Sequence, residues 1–113
     1  MRDLALGRMK AGHMNKTETE YAATLEQLRF TGEVAWYRFE GLKLRLADNT
    51  FYSPDFAVMR SDGLMECHEV KGFWRDDARA KIKIAAELYP FRFLAVQKQS
   101  KKAGGGWKTE VFE

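Results

Sequence analysis

At 113 residues the chain can bury one compact core and is too short for two, so any activity sits on one domain or where copies of it meet. A 45% hydrophobic and 13% aromatic content excludes disorder as the overall state, and a net charge of +3 with a pI near 9.1 permits contact with nucleic acid without requiring it. The single Cys67 excludes an internal disulfide and a cysteine-rich zinc site, and there is no apolar run of about 18 residues and no apolar secretory core, so a soluble protein of a reducing cytoplasm is expected.

Residues 1–14 place Arg2, Arg8 and Lys10 among small and apolar residues with two glycines, and suggest a basic N-terminal arm ahead of a domain spanning 15–113. Asn15 or Thr17 can cap a helix, Glu18 and Glu20 suit its positive end, and Tyr21, Leu25 and Leu28 recur at helical spacing as far as Gly32. Three runs rich in β-formers follow, at 34–39, 42–46 and 50–59, punctuated by Gly41 and Asp48-Asn49, and they predict an antiparallel meander. A turn at Ser61-Asp62-Gly63 leads to a fourth strand, 64–71, which Gly72 ends. Asp76 and Asp77 open a second helix with an Ala78, Ile82, Ala85, Tyr89 stripe, stopped by Pro90. Residues 91–97 alternate as a strand, 98–106 form a basic glycine-rich loop, and 107–112 give a final hairpin partner. The expected class is α/β, in the order αββββαββ, with a central mixed sheet flanked by helices.

Hydrolysis of a phosphodiester with a divalent metal needs carboxylate oxygens converging on one point and a cation beside them. Glu69 and Lys71 stand two apart in a strand and so share a face, while Val70 points to the other layer and its carbonyl could face a metal at the strand edge. Pro54 lacks an amide hydrogen, which suggests that strand pairing opens at Asp55. Counting about a turn centred on Asp62 sets Asp55 opposite Glu69. Glu-x-Lys on a solvated face and Pro-Asp in a turn are each common by chance; the two together, fourteen residues apart and followed by a helix, are a stronger signal.

These residues resemble the signature of the PD-(D/E)xK nuclease superfamily, which implies a restriction-endonuclease-like domain. The phrases NKTE, YSPDF, HEVKGFWRDDARAKIKIAAELYPF and FLAVQK are similar to a small phage or prophage branch of it. The resemblance implies an endonuclease that cuts DNA, including branched, Holliday-junction-like intermediates of recombination, in the cytoplasm of a bacterial host. It implies that Asp55 and Glu69 hold Mg2+ or Mn2+ and that Lys71 acts on the nucleophile or the phosphate. Members also commonly carry an acidic residue on the helix before the sheet. Glu18 shares the stripe of Tyr21, Leu25 and Leu28 and is the candidate, as catalytic residue and metal ligand; Glu20 points away and Glu26 lies at the border. The plainer account of Glu18 is a first-turn acid favoured by the helix dipole.

Arg75, Arg79, Lys81, Lys98, Lys101 and Lys102, with Lys108 beyond them, follow the motif and are the expected phosphate contacts. Lys81 lies on the flank of its helix's apolar face and could equally cover apolar surface. Trp74 could stack on a base or pack inside, and His68 alternates away from Glu69 into the core. A homodimer would set two cutting centres on opposed strands. From other classes come a DNA-binding protein with this fold and no catalysis, and a structural phage protein in which the motif is coincidental. DNA is the expected partner; a membrane is not.

Overall fold

Helix α1 (Lys16–Thr31) begins where Asn15 and Glu18 cap each other reciprocally, and ends where Gly32 takes a left-handed φ of 94° that a side chain would resist. The computed structural model describes residues 12–72 and 76–113, so most of the expected basic arm, together with Phe73, Trp74 and Arg75, lies outside the described residues. After α1 come β1 (Val34–Phe39), β2 (Leu44–Ala47), β3 (Thr50–Tyr52), β4 (Phe56–Arg60) and β5 (Met65–Lys71), then α2 (Asp76–Leu88), β6 (Arg92–Lys98), a 3-10 turn (Lys101–Ala103) and β7 (Trp107–Phe112). The class is α/β, as expected, and the chain forms one domain.

Five strands make a mixed sheet in the order β1-β4-β5-β6-β7. Only β5 and β6 run parallel, and α2 is the crossover that such a pair requires. Helix α1 covers one face through Tyr21, Leu25, Phe56, Val58, Val70 and Val96. Helix α2 covers the other through Ile82 and Ala85, packed on Cys67, Phe93, Ala95 and Phe112. Residues 66–70 are therefore buried without interruption, because β5 is the middle strand and is covered on both sides.

Two sequence expectations change. The run 50–59 is two strands, since Pro54 cannot extend a ladder and is itself fully buried. The meander does not form either: β1 pairs with β4, and β2 with β3 makes a separate hairpin around Asp48-Asn49, where Asn49 has a φ of 54°. That hairpin lies on the α2 side, held by Leu44 and Tyr52 in the core and by the Tyr89 hydroxyl donating to the Arg45 carbonyl at 2.7 Å. No described helix is long and apolar enough to cross a membrane.

Candidate active site

β4 and β5 pair from Phe56–His68 to Met59–Met65, and continuing that register sets Asp55 opposite Glu69. Backbone pairing stops there, and the Asp55 carboxylate takes over a strand donor: the Val70 N–H donates to Asp55 Oδ2 at 2.8 Å. In an extended residue N–H and C=O point to the same side, so the Val70 carbonyl faces the same gap. Strand pairing thus opens at Asp55, and the gap lies inside the sheet, beyond the end of β4. The Asp55 carbonyl in turn accepts the Glu40 N–H at 2.7 Å, which ties the loop after β1 to this point.

Glu69 is buried and has both oxygens engaged. Tyr52 donates its hydroxyl to Oε1 at 2.6 Å, and Lys71 Nζ stands 3.1 Å from Oε2. Burial, followed by the Glu69 charge, pushes the Tyr52 hydroxyl far above its ordinary value, so it stays protonated and keeps donating. Asp55 is pushed up to about 8, first by burial and then by Glu69, with Glu18 adding to the effect; the Val70 N–H and Lys71 oppose it only in part. A carboxylate in this state binds a proton or a metal cation far more readily than one in water.

A cleft of about 330 Å³ gathers Asn15, Glu18, Asp55, Glu69, Val70, Lys71 and Gly72. Glu18 reaches it from the first turn of α1, but its Oε1 accepts the Asn15 N–H at 2.8 Å, so this carboxylate is first of all a helix cap. Among the described residues no three His, Cys, Asp or Glu side chains are drawn close enough to hold a metal as they stand. The donors nevertheless suit magnesium, a hard cation that binds through one or two carboxylates and keeps several waters. Asp55 and Glu69 are the two carboxylates that could hold such a cation, with the Val70 carbonyl beside them.

The expected phosphate contacts fare differently from one another. Arg79 is held by Glu110 at 3.1 and 2.5 Å, and Lys98 by Glu20 at 2.7 Å. Glu20 is therefore ion-paired rather than simply solvated. Glu26, the weaker rival to Glu18, is committed to Arg29 and the Tyr37 hydroxyl. Lys81 Nζ lies 3.5 Å from the Phe51 carbonyl and lines a neighbouring cavity with Ser53, Glu69, Lys71 and Asp77, so it flanks the cleft. Lys101 and Lys102 project from the 3-10 turn into solvent. His68 faces the α1 layer and is buried there between the Tyr21 hydroxyl at 2.6 Å and Glu66 at 2.8 Å.

Tyr52 is the residue that sequence reasoning passed over. It stands in the YSPDF phrase, three before Asp55, but a continuous strand over 50–59 hides its role as a side chain reaching Glu69 from a different sheet. Comparison of the chain with family models, with curated proteins and with solved structures found no match.

Proposed function

We propose that the chain is a metal-dependent endodeoxyribonuclease of the PD-(D/E)xK kind, hydrolysing phosphodiester bonds in DNA. The observation that carries this reading is the facing of Asp55 and Glu69 in one cleft, with the Asp55 carboxylate raised by burial and by its neighbour, and with Lys71 beside them. Such a pair is stabilised when a cation arrives, and magnesium or manganese bound by Asp55 and Glu69 would supply Lewis-acid stabilisation of charge developing on the phosphate. Lys71 carries an ammonium at the same point, where it can stabilise the phosphate's added charge or orient the attacking water. Tyr52 fixes the Glu69 carboxylate from behind, and Val70 fixes that of Asp55.

DNA as substrate is what the resemblance implies, and Lys71 in the cleft with Lys81 flanking it supports that reading. Branched DNA and a twofold pair of copies, in a bacterial or phage setting, are the more specific form of the proposal. One observation favours a second reading, a DNA-binding protein without catalysis: Glu18, the third carboxylate of the cleft, is occupied as a helix cap.

Plasmid and four-way-junction DNA incubated with Mg2+ or with EDTA separate the two. We expect cleavage with metal and none with EDTA. Asp55→Ala and Glu69→Ala abolish it with DNA affinity kept, and Lys71→Ala lowers it by about 10² to 10³. Absence of metal-dependent cleavage, or cleavage indifferent to Lys71→Ala, refutes the enzyme.

A further inference from the structure

β7 is an outer strand of the sheet, and among the described residues nothing pairs with its free side. An unpaired edge is a template for another strand unless something blunts it. The opposite edge, β1, is blunted by a register shift between Val34 and Trp36. β7 has no such break: its register with β6 runs unshifted from Phe112 opposite Phe93 to Trp107 opposite Lys98, and it contains no proline.

The free side carries a fixed set of hydrogen-bonding groups. The Gln99 N–H donates to the carbonyl of Gly106, directly opposite it, at 2.9 Å. Directly bonded pairs recur at every second residue of an antiparallel ladder, so Lys108, Glu110 and Phe112 spend their N–H and C=O groups on β6. Those of Trp107, Thr109 and Val111 point outward. Side chains divide in the same way: Lys108 and Glu110 stand on the α2 face, where Arg79 holds Glu110, and Trp107, Thr109 and Val111 stand on the α1 face, where Trp107 packs on Tyr21.

A second copy of the strand fits this edge best in one register. Pairing across a twofold axis joins an outward residue to an outward residue, and the axes that keep most of β7 overlapped pass through Lys108, Thr109 or Glu110. An axis at Lys108 or at Glu110 sets that charge against its own copy, which is destabilising. The axis at Thr109 sets Lys108 opposite the partner's Glu110 and Glu110 opposite the partner's Lys108. It also sets Trp107 beside the partner's Val111 and Thr109 beside the partner's Thr109, and pairs of all three kinds are stabilising. Glu110 stays 43% exposed beside Arg79, and a carboxylate has lone pairs for a further donor.

We propose that β7 is a dimerisation strand, joining two copies of the chain about a twofold axis at Thr109 into one continuous sheet. The pairing stands whether or not the chain cuts DNA, and it gives the twofold pair of the proposed function a contact surface. Lys71 pairs with Gln97 and Gln97 with Lys108, a row that ends one residue from the axis. The two Lys71 backbones are therefore about 24 Å apart across the sheet, at about 4.8 Å per strand.

Sedimentation velocity on the full chain, without DNA or metal and over a micromolar to submillimolar series, tests this. The mass is expected to rise towards twice 13.1 kDa. Thr109→Pro removes the N–H at the axis, which β6 does not use, and is expected to weaken the dimer about tenfold or more. Lys108→Glu and Glu110→Lys each set like charges opposite one another and are expected to stay monomeric alone. An equimolar mixture of those two restores both opposite-charge pairs and is expected to dimerise, a rescue that carries the test even if Thr109→Pro fails to fold. Wild type at 13.1 kDa throughout, a dimer indifferent to Lys108→Glu, or no dimer on mixing the two variants, each folded by thermal melting, overturns the pairing. Because neither DNA nor metal is present, a β7-dependent dimer that never cuts keeps the pairing and refutes only the nuclease.

Discussion

Glu69 has one hydroxyl and one ammonium on its two oxygens, and that arrangement decides which neighbours matter. The Tyr52 hydroxyl holds the carboxylate in one rotamer, as groups behind a metal ligand commonly do. Tyr52→Phe should lower Mg2+ affinity about 10- to 100-fold. It should also cost about 1 to 3 kcal/mol of stability, because a buried acceptor loses its donor. Isothermal titration with Mg2+ and thermal melting measure the two effects separately. Destabilisation with unchanged metal affinity would reduce Tyr52 to a packing residue.

At the scale of the element, the first turn of α1 does two jobs with one residue. Glu18 closes the capping box with Asn15 and also places a negative charge near Asp55. Glutamine serves the box as well as glutamate does, so Glu18→Gln should melt like wild type while losing about tenfold in cleavage through the missing charge. Glu20→Gln should leave cleavage intact, since that residue pairs outward with Lys98. Asn15→Ala should cost about 0.5 to 2 kcal/mol by removing the cap. Equal cleavage in the Glu18 and Glu20 variants, measured under one set of conditions, would leave Glu18 a cap and nothing more.

For the whole molecule, the raised Asp55 links folding to pH. Its ordinary value of 3.8 applies unfolded and about 8 applies folded, so between them the folded chain binds the extra proton. The contribution of Asp55 is fully present below the lower value and is lost as pH rises through the upper one. Asp55→Asn has no such loss, so in EDTA its melting temperature should gain on wild type from about pH 5 to about pH 9. Adding Mg2+ should reverse the ranking, by about 2.7 kcal/mol for wild type at a hundredfold excess over Kd. Parallel melting curves at both pH values, or equal metal stabilisation of the two proteins, would contradict this account.

Both helices, their buried stripes and the Gly32 end of α1 were legible in the sequence, as was its start to within Asn15 or Thr17, because a 3.6-residue period and capping residues are local properties. So were the β4–β5 and β6–β7 hairpins, and the facing of Asp55 and Glu69, which needs only a turn and a count along two strands. Partner choice among strands was not legible. Whether β1 meets β2 or β4 depends on which layer each buried face finds, and only the assembled core decides that. The same cause put Tyr52 against Glu69 and made Lys71, Gln97 and Lys108 a row. Those neighbours come from strands distant in the chain, and no short-range pattern encodes them. Sequence alone determined which side chains could do chemistry here, and tertiary pairing decided which of them stand together, because burial in a common core acts between residues regardless of their separation along the chain.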